Sequence, residues 1–397
     1  LWQMDMTRRF ASGDLAAVLG PKYVKSDVAQ RTLGLTQVAQ HVVADMDPQQ
    51  RAYFDAYAAG VNAYIQQHQK TLPVEFRFMV YFPYAWTPED SVLVGLSMSE
   101  FLNHGIYRDE LEKEKVLARL GPELTADLFV NSSWRDHPPG SENVNMENEA
   151  PSQPSPENED QAKAPRKSPT KIPRRTQAQQ ERRRLRSRRA LMEPSIPASS
   201  SLAFADEGML EERLRPGSNN WVLSGTHTMS GKPLLSNDMH LDLRIPNTWY
   251  EAQLTAGDFD VTGVTLPGVP FVIVGHNRRL AWGFTNLGPT VEDLYVEKFN
   301  DQGQYLTPPG WPPPEHRKAI IRVKGKHDVE LDVVVTRHGP IITSLVPGET
   351  RKLALKWVIY DSKADRIPFF AVDAAKNWAE FRAAFSQFGA PGQNVVY

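Results

Sequence analysis

The chain has 397 residues, of which 41% are hydrophobic, and its 45 Lys or Arg and 47 Asp or Glu give a net charge of −2. This length can build a large core in one or two domains, and the near-neutral charge argues against a polyanion-binding protein as a whole. The sequence contains no Cys, which excludes disulfides, Cys-ligated metals and thiol catalysis, and no apolar run long enough to predict a membrane span.

Residues 1–137 predict a mainly helical segment. Asp47-Pro48 and Thr87-Pro88 each pair an N-cap residue with a proline at the first helical position, so a helix is expected after each. A charged helix is expected from Arg108 to Leu120, ending at Gly121. Near the start of the chain, the apolar residues Trp2, Met6 and Phe10 are spaced four apart, so they would share one face of a helix.

Residues 138–217 predict a disordered spacer. Six acidic and no basic residues occupy 142–160, whereas 163–189 holds twelve Lys or Arg and one Glu. Because large apolar residues are nearly absent, burial cannot offset the entropy of ordering this segment. Two interpretations stay open: a propeptide that is removed, or a basic segment that binds polyanions.

Residues 218–397 predict a β-rich core. A strand is expected at Trp221 to Leu223, buried behind Ser218, and helix returns near Trp378 to Phe388. Helices, then strands, then a helix indicate an α+β fold whose sheets are covered by helices. Further β-branched or aromatic runs that predict strands are Trp249–Leu254, Phe259–Val264, Phe271–Val274, Ala319–Val323 and Val329–Thr336.

The dipeptide Gly217-Ser218 lies where the spacer meets this core. If the bond between them were cut, Ser218 would carry both a hydroxyl and an α-amine with an ordinary pKa of about 8. Such an amine can act as the base for its own side chain, which makes Ser218 a candidate nucleophile. The alternative is that Ser218 is a turn residue before a strand.

Five separated motifs resemble those of the penicillin acylase family of N-terminal-nucleophile hydrolases. The resemblance also covers residues 1 to about 134 and lapses across the spacer. It implies the αββα sandwich of that family, cleavage between Gly217 and Ser218, and amide hydrolysis. The motifs are Ser218-Asn-Asn-Trp-Val, Asn237-Asp-Met-His240, Gly275-His-Asn277, Ala281-Trp-Gly-Phe-Thr-Asn286 and Gln393-Asn394.

The resemblance also implies roles for single residues. Ser218 is the expected nucleophile, and His240 is expected to orient its hydroxyl or tune its α-amine. The two expected oxyanion donors are the main-chain N–H of Asn286 and the side-chain amide of Asn394. For Asn394, which follows Pro391-Gly-Gln, the alternative is a turn residue that caps the local backbone.

A structural Ca²⁺ is a second implication of the resemblance. Glu110 and Asp293 match two of the family's carboxylate ligands, while Thr290 stands where a third ligand is usually Asp. Hard cations prefer such oxygen donors. The alternative for either carboxylate is an ordinary solvated charge.

These observations lead to an expected activity and to two rivals. We expect a self-processing amidohydrolase that acts on β-lactam amides, N-acyl homoserine lactones or other N-acyl amines. Leu241, Phe271 and Val274 are expected to line its acyl pocket. The mature protein is expected to be a periplasmic or secreted heterodimer of two chains from one precursor, without nucleic-acid partners. The rivals are an interaction protein that uses the Arg-rich spacer and a family member without activity.

Overall fold

A computed structural model describes residues 1–103, 105–129, 218–241, 245–361 and 366–397. The chain divides into one compact unit formed by Leu1–Arg108 and Ser195–Tyr397 and another formed by Asp109–Pro194. The predicted spacer, with its Arg-rich run and Gly217, lies outside the described residues. Both interpretations of the spacer therefore stay predictions.

Helices fill the described residues before position 130. Asp47 caps α5 by accepting hydrogen bonds from the N–H groups of Gln49 and Gln50, with Pro48 at the first helical position as predicted. The break predicted at Gly121 is a kink inside α8, where Gly121 has φ of 78°. The helices are α1 (Trp2–Ser12), α2 (Ala16–Leu19), α3 (Val24–Leu33), α4 (Leu35–Ala44), α5 (Pro48–Gln67), α6 (Val74–Met79), α7 (Pro88–Asn103) and α8 (Ile106–Leu128).

Twelve strands and two helices are described after position 217. The strands are β1 (Asn219–Leu223), β2 (Leu234–Asp238), β3 (Tyr250–Ala256), β4 (Phe259–Thr265), β5 (Val274–Asn277), β6 (Ala281–Asn286), β7 (Glu292–Glu297), β8 (Glu315–Ile321), β9 (Val329–Thr336), β10 (Gly339–Pro340), β11 (Lys352–Trp357) and β12 (Gln393–Val396). The helices are α9 (Phe369–Ala374) and α10 (Trp378–Phe385).

All strand pairs within the described residues are antiparallel. They form a five-stranded sheet in the order β12-β6-β5-β4-β3, a three-stranded sheet β10-β9-β8, and the pairs β1-β2 and β11-β7. The α+β class is therefore confirmed, whereas the αββα layering stays a prediction.

Aromatic side chains attach α10 to β6. The ring of Phe284 lies 5.6 Å from that of Phe385 on α10, and Trp282 lies 6.2 Å from Phe381 on the same helix. Both β6 residues are buried. Edge-to-face and tilted contacts of this kind add to the burial of apolar surface, so they hold α10 against β6.

Two predicted strands differ from the structure. The run Phe271–Val274 becomes strand only from Val274 onward, and before it the Val272 N–H donates to the Asp373 carboxylate on α9. The stretch Trp221–Leu223 does form β1, yet its side chains are 42–48% exposed, so the prediction that it is buried is wrong.

Asp373 is a buried carboxyl whose second oxygen, Oδ1, has no hydrogen-bond partner among the described residues. Burial raises its pKa to about 8, although the Val272 N–H favours the charged form. Between pH 4 and pH 8 the unfolded chain releases this proton while the folded chain keeps it. This contribution to stability is therefore present below pH 4 and is lost as the pH rises toward 8.

Replacing Asp373 by asparagine should remove this pH dependence. The free energy of unfolding of Asp373→Asn minus that of the unmodified protein should rise from pH 5 to pH 8, by up to about 1.4 kcal/mol per pH unit. Denaturant titrations at several pH values measure this difference. A flat difference for Asp373→Asn would rule out a buried protonated carboxyl.

Candidate active site

Ser218 immediately precedes β1 and is half-buried. Its Oγ accepts a hydrogen bond from the main-chain N–H of His240, with the two atoms 3.2 Å apart. The β1-β2 pairing brings the two residues together, since Asn219 lies opposite Asp238. A main-chain group therefore holds the Ser218 hydroxyl.

Ser218 lines a cavity of about 140 Å³. Its wall is mainly apolar and comes from α7, from the segment between β4 and β5, and from α9. Polar groups in the wall are few; they come from Ser91, Ser99, Ser218, Asn286, Gln393 and the charged Arg366. Apolar and aromatic residues of the wall include Met98, Leu102, Met239, Leu241, Trp249, Leu266, Phe271, Ile273 and Phe369. A largely apolar pocket with a few polar groups is typical of a small-molecule site.

The three predicted pocket residues divide into two that line the cavity and one that does not. Leu241 and Phe271 belong to its wall, whereas Ile273 takes the place expected for Val274. Successive residues of an extended chain point to opposite faces, so Ile273 and Val274 cannot both face the cavity. Val274 instead begins β5 opposite Val264.

Asn237 on β2 ties the start of β1 to β6. Its Nδ2 donates to the carbonyl oxygens of Asn219 (3.1 Å) and Phe284 (2.7 Å), and its Oδ1 accepts from the Phe284 N–H (2.8 Å). Gly283 leaves room for this amide, because a Cβ there would lie 2.7 Å from Asn237 Oδ1. The carboxamide therefore fixes the position of the β1-β2 pair, and with it Ser218, against the large sheet.

Asn286 ends β6 and lines the same cavity as Ser218. Leu287 donates its N–H to Gly392, so the hydrogen-bonding groups of Leu287 and Thr285 face β12. Hydrogen-bonding directions alternate along an antiparallel strand, so the N–H and C=O groups of Asn286 and Phe284 point away from β12. The Phe284 N–H donates to Asn237 on β2. The Asn286 N–H therefore points toward the side of β6 on which β2 lies.

The imidazole of His240 lies beside a carboxylate. Its Nε2 is 3.0 Å from Oδ2 of Asp238, and both side chains are accessible to solvent. The described contact between His240 and the Ser218 hydroxyl is thus made by the main chain. The predicted role of the imidazole in tuning the α-amine stays a prediction.

Asn394 lies in strand β12 and not in a turn, as the alternative interpretation had it. It is exposed, pairs with Thr285 across the sheet, and its Nδ2 donates to Thr285 Oγ1 at 3.3 Å. Its neighbour Gln393 lines the cavity, but Asn394 does not. The structure therefore brings together Ser218, His240 and Asn286 but leaves Asn394 on the other face of the strand.

The family model for penicillin amidase matches residues 1–397. The chain belongs to the penicillin amidase family. The acyl-homoserine lactone acylase QuiP of Pseudomonas aeruginosa is 29% identical over 414 residues, which cover 100% of this chain and 44% of that protein. The penicillin acylase 2 proenzyme of Pseudomonas sp. SE83 is 28% identical, over 90% of this chain and 41% of that protein.

The chain spans less than half the length of these two curated members of the penicillin amidase family. Among solved structures, a thermostable penicillin G acylase from Alcaligenes faecalis is 30% identical with a TM-score of 0.33, over 38% of this chain and 27% of that one.

The predicted metal ligands lie in different units of this penicillin amidase family member. Asp293 is exposed on β7 opposite Lys356, and Glu110 is exposed on α8 within the second unit. No three Asp, Glu or His side chains converge into a metal site within the part of the chain that the structure describes. The described residues thus do not complete a Ca²⁺ site, and no step below depends on one.

Sequence reasoning assigned no role to Asn237. Its place in a motif that carries the family resemblance was the signal that could have identified it. None of the helices in the described part of the chain combines the length and the apolar character needed to cross a membrane.

Proposed function

We propose that this protein is a self-processing amidohydrolase that forms an acyl-enzyme on Ser218. One observation carries the proposal: the Ser218 hydroxyl, held by the His240 N–H, lines an apolar cavity together with Asn286. Membership of the penicillin amidase family supports it. The names of the relatives, an acyl-homoserine lactone acylase and a penicillin acylase, support the class of reaction.

Hydrolysis of the substrate begins at a Ser218 that carries a free α-amine. The amine takes the hydroxyl proton as Oγ attacks the amide carbonyl, and the N–H of Asn286 stabilises the oxyanion that forms. The C–N bond then breaks and the leaving amine takes the proton from the α-ammonium. Water attacks the resulting ester, its proton again passing to the α-amine, and releases the carboxylic acid and the Ser218 hydroxyl.

Maturation uses the same nucleophile on the chain itself. Ser218 Oγ attacks the carbonyl carbon of Gly217, the Gly217–Ser218 amide becomes an ester, and water cleaves that ester. The products are a chain ending at Gly217 and a chain beginning at Ser218. Gly217 has no Cβ, which eases the strained backbone that such a shift requires. The mature form in this proposal is a heterodimer of the two chains.

The substrate in this proposal is an N-acyl amine with an apolar acyl group. Apolar walls from Leu241, Phe271 and Met98 favour an alkyl chain or a ring in the acyl group. β-Lactam amides, N-acyl homoserine lactones and other N-acyl amines all present such an acyl group. We place the protein in the periplasm or outside the cell, and fractionation of cells that express its full precursor would test this.

Release of a coloured amine from matched acyl anilides tests the proposed activity. Hexanoyl and phenylacetyl anilides should be hydrolysed faster than an acetyl anilide, because the larger acyl groups bury more apolar surface against the cavity wall. No release from any of them by the processed protein would contradict the proposed function.

We also propose that the protein binds a structural Ca²⁺, with Glu110 and Asp293 as candidate ligands and a stabilising role only. Carboxylates are suitable ligands for this cation. Calorimetric titration of chelator-treated protein with Ca²⁺ should show saturable binding that weakens in Asp293→Asn. Absence of binding would contradict the proposal.

A further inference from the structure

Gln393 on β12 lies directly opposite Asn286 on β6, and both residues line the cavity that Ser218 lines. The main-chain hydrogen-bonding groups of Asn286 point away from β12, so the two residues form a non-hydrogen-bonded pair. In such pairs the strands approach most closely and the side chains come into contact. The Nε2 of Gln393 accordingly donates to Oδ1 of Asn286 at 3.1 Å.

The carboxamide of Asn286 is held at both ends. Its Oδ1 accepts from Gln393, and its Nδ2 donates to the main-chain carbonyl of Leu102, near the end of α7, at 3.2 Å. The Gln393 amide is itself anchored, because its Nε2 also donates to the carbonyl of Gly392 at 2.7 Å. That carbonyl accepts the N–H of Leu287 as well. Side-chain hydrogen bonds therefore connect α7 to β12 through Asn286.

The pairing of β6 with β12 does not hold the main-chain N–H of Asn286, because that group points away from β12. Asn286 is also the last residue of β6, and regular elements open most readily at their ends. Its side-chain hydrogen bonds to Gln393 and Leu102 restrain the residue directly. Such restraint matters because a group that stabilises a transition state must be held within about 0.5 Å of its productive position.

The other polar side chains of the cavity wall do not share this task. Ser91, Ser99 and Arg366 each hydrogen-bond to a residue other than Asn286 within the part of the chain that the structure describes. The carboxamide of Asn286 thus depends on Gln393 for its side-chain link to β12.

We propose that Gln393 is a positioning residue, which holds the main-chain N–H of Asn286 where it stabilises the oxyanion formed on the substrate carbonyl. This inference rests on the proposed amidohydrolase function. Gln393 acts through Asn286 and needs no contact with the substrate. Its loss should slow the reaction without weakening substrate binding, because the interaction that it supports strengthens only in the transition state.

The first test compares variants of Gln393 with a hexanoyl anilide as substrate. Gln393→Leu removes the donor at similar size, so kcat should fall about tenfold while KM stays within about twofold. Gln393→Glu should lower kcat by about a hundredfold, because a carboxylate cannot donate to Asn286 and its charge repels the oxyanion. Gln253→Leu is the matched control on β3 of the same sheet, where Gln253 is exposed and donates to Asp260. It should leave both constants unchanged.

A double-mutant cycle shows whether Gln393 acts through Asn286. Asn286→Ala removes the carboxamide but keeps the main-chain N–H, so Gln393→Leu should cause no further loss of kcat in that background. Fully additive losses would overturn the inference. So would a higher KM with unchanged kcat in Gln393→Leu, because that result would mean that Gln393 binds the substrate itself.

Crystal structures of the unmodified protein and of Gln393→Leu give a second measurement that does not depend on turnover. The distance between the main-chain nitrogen of Asn286 and Oγ of Ser218 should differ between them by at least about 0.5 Å. An unchanged distance would overturn the positioning role. If the unmodified protein hydrolyses no amide, the proposed function fails, and this distance alone decides the role of Gln393.

Discussion

Replacing Ser218 by alanine should leave a single uncut chain and reduce amide hydrolysis by at least about 10⁴-fold. Removing the nucleophile of a serine hydrolase leaves only the contributions of binding and oxyanion stabilisation. Here the same oxygen is also proposed to cleave the chain before Ser218, so both activities should disappear together. A denaturing gel and the release of a coloured amine from an acyl anilide measure the two effects.

Ser230→Ala provides the matched control for this variant, because Ser230 is an exposed hydroxyl between β1 and β2. It should be cleaved and should hydrolyse substrate at the rate of the unmodified protein. Circular dichroism should show the same secondary structure for both variants, so that loss of folding does not explain loss of activity. Two chains from Ser218→Ala would contradict self-cleavage by this residue.

Replacing Asn237 by alanine should destabilise the protein by about 3 kcal/mol and lower kcat at least tenfold. The change removes three hydrogen bonds and leaves the N–H of Phe284 without its acceptor. It also frees the β1-β2 pair from β6, so Ser218 loses its fixed position relative to Asn286. Displacements of about 1 Å in such an arrangement cost around a hundredfold in rate.

Asn300→Ala is the control for Asn237→Ala. Asn300 also makes three hydrogen bonds, to Gln302 and Gln304 within one turn. Its loss should reduce stability but leave kcat unchanged, because the turn does not border the cavity. Gly283→Ala should reproduce the kinetic effect of Asn237→Ala by pushing the amide aside. Unchanged kcat in both Asn237→Ala and Gly283→Ala would contradict the positioning role.

Local signals in the sequence predicted the helices well. The cap at Asp47 and the proline at Pro88 act through neighbouring backbone groups, so a short stretch of sequence contains the whole interaction. The family resemblance identified Ser218 and Asn286, which line one cavity although 68 positions in the sequence separate them. Their chemical roles stay predictions that the variants above test.

Long-range pairing decided the cases that sequence reasoning did not predict. The sequence allowed Asn394 to be a turn residue, but Asn394 pairs with Thr285 and so belongs to a strand. Val274 was expected in the cavity, but the chain is extended there and Ile273 lines the cavity instead.

The mass spectrum of the processed, active protein tests the central claim most directly. The claim is that one residue supplies both the attacking oxygen and the amine that activates it. The account predicts a chain whose first residue is Ser218 with a free amino group, and a transient mass increase on that chain equal to the acyl group of a slow substrate. A protein that remains continuous through Gly217-Ser218 while hydrolysing amides at full rate would contradict it.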